Sequence, residues 1–424
     1  MHRARRSITL RVLLVDRVVR LVAVTVVVAF CASAAAAQTP AVSGPLTYTQ
    51  ALELAASRNL AVAAARRARA IREGALKTAG QRPNPSASVE VSQDTPHEVV
   101  VFALPLELGG RRARRIDLAK EELTLADVDV QTELRAVRRE LRQSFYSVIA
   151  ADERIRLADS LVEVARRVRD VAQAMFETGA APRLDVLQAD LGVARAETEL
   201  ELARGTRTFE QARLNAVLDF PPQQPTALAG SLTDGIADLT YERALAIATT
   251  SNVDLVALDR QIAVEERRVA VLRAERTPTP TFSVSSLFNN PGEFTAGAGA
   301  GVSMELPLFS RNQGQIAESL ATTAQLRARR QATLRAIENT IAGTVARIEA
   351  ERRQLEAFER RLVPTATDLQ ALAEESYRAG RTSVLGLLDS QRSLRELRRD
   401  ALQAALDLQL SIAELEEILG TALR

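Results

Sequence analysis

The side chains able to do covalent or metal chemistry are few in this chain of 424 residues: one cysteine, Cys31, two histidines, His2 and His97, and three methionines. Disulfides and thiolate nucleophiles need cysteine, and zinc or copper sites draw on several Cys, His or Met ligands. After residue 37 there is no cysteine, and the remaining soft ligands are His97, Met175 and Met304. Carboxylates are abundant, but they interleave with arginine along helical patterns, where each serves as an ion-pair partner. No nucleophile beside a base, Gly-rich phosphate loop or metal-ligand spacing occurs. The chain therefore reads as a non-enzyme without cofactor or resident metal. What remains is chemistry of position, at two breaks in long helical patterns, Phe176-Glu177-Thr178-Gly179 and Tyr377-Arg378-Ala379-Gly380.

Charge distribution removes a further class. The chain is 46% hydrophobic and 25% charged, a folded composition, and its formal +2 with a pI near 9.0 invites a nucleic-acid reading. Residues 1–37, however, hold Arg3, Arg5, Arg6, Arg11, Arg17 and Arg20 against Asp16, a local +5 that leaves −3 for everything after them. This basic stretch leads into the apolar run Leu21 to Ala37, with small residues Ala35 and Ala37 before Gln38. The pattern is that of a secretory signal peptide cleaved after Ala37. The run has 17 residues, short of the ~20 that a spanning helix needs. Phe30 is bulky where lipidation at Cys31 favours a small residue, and no later segment reads as a spanning helix.

The elements that position the two breaks come from a duplication. LTYTQALELAASRNL (46–60) recurs as LTYERALAIATTSNV (239–253), an offset of 193 residues, with Leu46/Leu239, Tyr48/Tyr241, Ala51/Ala244 and Asn59/Asn252 among the matches. Each copy leads to a helical stretch, a Pro-containing break (Pro83 and Pro85; Pro278 and Pro280), two alternating segments and a Leu-Pro-Leu (104–106; 306–308). A long charged helical pattern, one of the breaks and a second helical run follow. The expected organisation is a signal peptide (1–37) and two repeats. The first, 38–225, has strands at about 85–108 and a helical hairpin at about 111–219; the second, 226–424, has strands at about 280–308 and a hairpin at about 311–419.

Leu134, Val137, Leu141, Phe145 and Val148 step by three and four, as do Ile337, Ile341, Val345 and Ile348, giving narrow apolar stripes with charged flanks. The run from Arg111 to Thr178, which contains no proline, reaches on the order of 100 Å as helix and points to long helices without a globular core. In the strands, Ala87, Val89 and Val91 oppose Ser88, Glu90 and Ser92, while Phe294, Ala296, Ala298, Ala300, Val302 and Met304 oppose a Gly- and Ser-rich face. Strands of about nine to eleven residues with this period are those of a transmembrane barrel, although a half-buried sheet in a soluble protein shares the alternation. Four strands cannot close a barrel. Lipid does not tolerate open edges, so closure needs several copies: two would just suffice, and three give twelve strands around an open lumen. Phe102, Phe282, Phe288 and Phe294 could form a thin aromatic girdle.

The chain resembles the outer-membrane efflux factors of the TolC family over essentially all of residues 46–420. The duplication and the hinges FETGAAPRLDVLQAD (176–190) and YRAGRTSVLGLLDSQ (377–391) carry the likeness. QRPNPSASVEVSQ (81–93) and LPLELGGRR (104–112) are similar to the branch serving cobalt, zinc and cadmium efflux. The resemblance implies a mainly α fold with a small transmembrane β part. Three chains would form a twelve-stranded barrel in the outer membrane that continues into a twelve-helix periplasmic tunnel. It also implies a periplasmic adaptor (membrane fusion) protein and an inner-membrane transporter of the resistance-nodulation-division type as partners, with no nucleic acid.

By the same resemblance, Gly179, Ala180, Ala181, Arg183 and Leu184, with Gly380, Thr382, Ser383 and Val384, are the tips that meet the adaptor. Asp185 and Tyr377 match a pair that helps hold the tunnel entrance closed, whereas the family's basic partner falls on Thr382, with Arg381 one residue earlier. Asp389 matches an acidic position that is repeated threefold in the constriction. The family's second acidic position is Gly386, which weakens the cation field expected of the ring. The reading is a passive exit duct for divalent heavy-metal cations. Alternatives are a multidrug or type I secretion duct of the same architecture, or a soluble periplasmic coiled-coil tether.

Overall fold

The computed structural model describes residues 44–93, 97–234, 239–290, 294–379 and 381–423. The signal-peptide segment and Gly380 lie outside the described residues. The chain divides into an N-terminal unit, Met1–Pro45, and the body, Leu46–Arg424. The body opens with β1 (Leu46–Thr47), α1 (Tyr48–Arg58) and α2 (Leu60–Ala79), then β2 (Ser86–Val91), β3 (Glu98–Pro105) and the helices α3 (Arg111–Glu177) and α4 (Arg183–Leu218). After β4 (Leu228–Ala229) the series repeats as α5 (Tyr241–Ser251), α6 (Val253–Ala274), β5 (Pro280–Asn290) and β6 (Phe294–Met304). It closes with α7 (Gln313–Ala357), a π-helical turn (Phe358–Leu362), α8 (Val363–Arg378) and α9 (Val384–Leu419).

The repeated segment earns its repetition through its caps. Thr47 and Thr240 accept hydrogen bonds from the third residue of α1 and α5, and Gln50 completes a capping box at Thr47. Asn59 and Asn252 sit between consecutive helices, and their Oδ1 atoms accept from the N–H groups of the second and third residues of α2 and α6. Their Nδ2 groups donate to the carbonyls of Val217 (3.1 Å) and Ile418 (2.7 Å), near the ends of α4 and α9. One side chain thus makes a corner and ties it to the base of a hairpin.

A core is present after all, contrary to the expectation of long helices alone. It forms where α1 and α5 lay Ala51, Ala55, Ala244 and Ala248 against the hairpins, around Leu141, Phe145, Leu214, Ile341, Leu408 and Ile412, all buried. Alanine at these positions lets the short helices approach closely, which a stripe read along one long helix does not reveal. α3 is central to the assembly and packs on α2, α4, α6 and α9. At 67 residues it measures roughly 100 Å. The second hairpin differs: Pro364 lacks the N–H of the regular ladder, and the π-helical turn just before it takes up the mismatch.

At the closing end of α9, Gly420 has φ +75°, and a Cβ there would lie 2.3 Å from the Ser251 carbonyl oxygen. Gly420→Ala is expected to cost at least about 2 kcal/mol, from left-handed strain plus the clash. Denaturant midpoints followed by helical circular dichroism read the loss, and an unchanged midpoint would contradict the packing of α9 on the corner at Asn252.

The four-stranded sheet is antiparallel in the order β2-β3-β5-β6. Its register puts Ala87, Phe102, Val284 and Ala300 in one row, and Val89, Val100, Ser286 and Ala298 in the next row of the same face. The opposite face carries Ser88, Val101, Ser285 and Gly299. Val99 to Phe102, uniformly apolar in sequence, are thereby divided between the two faces. β2 and β3 have 6 and 8 residues rather than the expected nine to eleven. Pro85 precedes one strand and Pro105 ends the other, while the Ser92 N–H donates to the His97 carbonyl (2.9 Å) at the turn between them.

Candidate functional site

The tips of the two hairpins are built alike. α3 ends on Gly179 at φ +75°, with the Ala180 N–H donating to the Met175 carbonyl (2.8 Å) and the Gly179 N–H to that of Phe176 (3.0 Å). This is the Schellman arrangement, which needs a residue at ease in the left-handed region. At the second tip the Arg381 N–H donates to the Ser376 carbonyl at 2.9 Å, the equivalent bond. α4 then starts at Arg183 behind Pro182, and α9 at Val384 behind Ser383.

A small apolar cluster joins the tips. Val168, Ala172, Ala189, Tyr377, Val384 and Leu387 are buried together, drawn from both hairpins. Within it the Tyr377 side chain is 2% exposed, and its hydroxyl has no hydrogen-bond partner. Burial, and next the nearby negative charge of Asp185, push its phenol above the usual value. Asp185 itself is half-buried in the first turn of α4. The structure therefore brings Asp185 and Tyr377 into one electrostatic environment without a bond between them. Arg381 stays exposed and forms no ion pair among the described residues. Arg183 and Leu184 are also exposed, whereas Val384 is buried in the cluster.

Asp389 lies farther along α9, exposed, in a groove of about 680 Å³ between α4 and α9 with α3 beneath. Gly192, Gly386 and Ala189 keep the groove open, while Arg195, Arg392 and Arg395 also line it. The charge of Asp389 adds to the proton affinity of Arg392, whose guanidinium bonds primarily to Glu396 (2.9 Å). Within one chain the acidic position is thus partly compensated by the turn that follows it. Among the described residues no group of three or more His, Cys, Asp or Glu could hold a metal ion, and no helix is long and apolar enough to cross a membrane.

Two features escaped the sequence reading. One is a buried ion pair, Arg142 with Glu416 at 2.8 Å, each side chain 2% exposed. The available signal was an arginine one residue after Leu141 and three before Phe145, at the margin of the apolar stripe. The other is a band of arginines where the sheet meets the helices.

Duplicated helical hairpins on an antiparallel sheet whose apolar face lies open define a subunit of an outer-membrane channel. The fold superposes on the solved structure of CusC, with a TM-score of 0.72 at 14% identity over 88% of this chain and 92% of that one. The chain belongs to the outer membrane efflux protein family, which it matches over residues 49–218 and 245–421. It is 28% identical over 364 residues to the cobalt-zinc-cadmium resistance protein CzcC of Cupriavidus metallidurans, spanning 84% of this chain and 85% of that one. With the pyoverdine export outer membrane protein OpmQ of Pseudomonas putida it shares 26% over 327 residues, 72% of this chain and 66% of that one.

Proposed function

We propose that three copies of this chain form a passive exit duct through the outer membrane for divalent heavy-metal cations. An inner-membrane transporter and a periplasmic adaptor would deliver the cargo, and the duct would carry out no catalysis. The observation that carries the channel reading is the sheet: β2 and β6 are open edges, and Val89, Val91, Phe102, Phe282, Val284 and Val302 are each more than half exposed on one face. Lipid accepts that face only if neighbouring copies pair the edges, which is how twelve strands close. A matching seam runs along α4, where Leu184, Leu187, Leu191, Leu202 and Phe209 stand exposed at helical spacing for a neighbouring helix. Residues 38–225 and 226–424 are the two efflux repeats of this reading, and residues 1–37 the cleaved export signal.

Similarity to CzcC across most of both chains favours metal cations as cargo, and Asp389 is the acidic position that would favour them. Scarcity of soft ligands also fits a conduit that must release what it carries. Deletion of the gene is expected to sensitise the cell to zinc, cadmium or cobalt and to leave tolerance of lipophilic drugs unchanged. The likeness to OpmQ supports a second reading, export of an organic molecule, and the reverse resistance profile would select it. A monomer in the periplasmic fraction, in place of a detergent-extracted trimer, would instead select a soluble tether.

At the entrance, the unpartnered Tyr377 hydroxyl and the neighbouring Asp185 form the gate of this proposal, with the tip residues 179–184 and 381–383 presented to the adaptor, while Val384, expected among the tips, is buried in the cluster behind them. A bond from a neighbouring copy to the half-buried Asp185, beside which Tyr377 is packed, is worth about 1–3 kcal/mol, a scale that adaptor docking can overcome. Asp185→Ala and Tyr377→Phe are each expected to raise single-channel conductance in planar bilayers. Conductance unchanged in both would rule out this gate.

A further inference from the structure

Where the sheet gives way to the helices, segments 80–85, 104–117, 275–279 and 305–313 carry seven arginines against four carboxylates, in a molecule whose body is otherwise acidic. They form one physical band. The Leu106 N–H donates to the Pro280 carbonyl (2.8 Å), Arg111 Nη2 to the Glu275 carbonyl (2.5 Å), and Arg276 Nε to the Arg311 carbonyl (2.9 Å). Three exposed guanidiniums in the band, those of Arg112, Arg276 and Arg311, are each held through Nε on a backbone carbonyl: Gly80 (2.7 Å), Arg311 (2.9 Å) and Pro307 (3.1 Å). Among the described residues none of the three has a carboxylate within ion-pairing distance, so their terminal nitrogens stay uncommitted. On the helices some arginines are neutralised by pairing, the exposed Arg327 with Glu266 (2.8 Å) and the half-buried Arg330 with Asp259 (2.6 Å), and Arg353, which rests Nε on the Glu349 carbonyl (3.2 Å), does so within a single helix and outside the band. Beside these oriented forks stand Leu306, Leu308 and Phe309, the last 92% exposed.

Planar, pre-oriented guanidinium forks recognise phosphate, and exposed apolar side chains next to them call for acyl chains rather than water. Resting on the channel reading above, we propose that this band seats the phosphate groups of anionic phospholipids at the periplasmic face of the outer membrane. Arg112, Arg276 and Arg311 supply paired Nη donors, and Phe309 lodges among the acyl chains. The position fits: the band begins where the apolar strand face ends, at Leu104, Pro280 and Met304.

The test uses the full chain reconstituted in vesicles of phosphatidylethanolamine with and without phosphatidylglycerol, then extracted for native mass spectrometry. Wild-type protein is expected to retain phosphatidylglycerol in preference to phosphatidylethanolamine. Arg112→Gln/Arg276→Gln/Arg311→Gln is expected to lose at least about tenfold of that retention, whereas Arg329→Gln/Arg353→Gln/Arg361→Gln, which removes the same charge from the helices, keeps it. Phe309→Ala, at a site too exposed to affect folding, is expected to lower retention severalfold and reads the proposal even if the triple variant fails to assemble. Equal retention in wild type, the triple variant and Phe309→Ala overturns the proposal while leaving the channel reading intact. Displacement of the lipid by inorganic phosphate identifies a free-anion site and also overturns it. Wild-type protein that fails to float with vesicles overturns the channel reading and this proposal together.

Discussion

Arg142→Met is expected to destabilise the chain by about 3–5 kcal/mol at neutral pH, because it leaves the Glu416 carboxylate buried without its counter-charge. The guanidinium donates to Glu416 Oε1 at 2.8 Å and to Gln409 Oε1 at 3.0 Å, and its carbon lies 5.4 Å and 5.3 Å from the ring centres of Tyr48 and Tyr146. Gln409 passes the connection to the carbonyls of Leu232 and Asp234, and Glu416 accepts from the Leu423 N–H. A single side chain therefore links α1, α3, α9, the loop between β4 and α5 and the C-terminal turn. Dispersion among the packed rings of Tyr48, Phe145 and Tyr146 cannot replace that charge.

The pH dependence distinguishes this cause from simple loss of packing. Burial raises the proton affinity of Glu416, and Arg142 is the largest influence opposing the rise. Removing Arg142 raises it further. A carboxyl whose folded value lies above its unfolded one adds stability at low pH and loses it as pH climbs through the folded value. The deficit of Arg142→Met is therefore widest at neutral pH and shrinks on acidification toward the ordinary glutamate value. Arg142→Met/Glu416→Leu is expected to recover most of the loss, since an apolar pair of similar volume removes the stranded charge. Denaturant unfolding of the three forms at two pH values measures both effects, and a deficit independent of pH would refute the charge argument.

Val89→Arg is the second large effect, expected to cost about 2–4 kcal/mol in the membrane, while Ser88→Arg one residue earlier is tolerated. Val89 shares its face with Val100, Ser286 and Ala298, and Ser88 shares the other with Val101, Ser285 and Gly299. In the monomer Val89 is already 69% exposed, so a cost confined to the chain alone would be small. The penalty arises only if that face meets hydrocarbon. The fraction of heat-modifiable trimer in outer-membrane preparations reads the difference. Equal assembly of both variants would mean that the face is wet and the barrel reading wrong.

These two sites show what can and cannot be read along a chain. Val89 and its alternating neighbours were legible because strand periodicity is local: each residue's face follows from its parity once the strand is recognised. The hairpin tips were legible for the same reason, since a Schellman turn spans six residues and advertises itself with a glycine. Arg142 and Glu416 are 274 residues apart, and each looks like one more surface charge on an arginine- and glutamate-rich helix. Only the crossing of α3 and α9 makes them a buried pair. The Nε-anchored arginines of the band are similar, because what frees their terminal nitrogens is the geometry of connections from four separate segments.

The sequence by itself determined the duplication, the helix–strand–strand–hairpin order of each unit, the placement of both tips and the division of each strand into apolar and small faces. It also determined the near absence of soft-ligand chemistry, because composition alone decides that. The tertiary structure decided where the core lies, which strands neighbour which, and which charges are buried or left open. It drew Tyr377 and Asp185 into one environment and set Asp389 beside Arg392 and Arg395 in a groove. The physical reason is range: periodicity and capping act over a few residues, whereas desolvation and pairing depend on segments that meet only after the chain has folded.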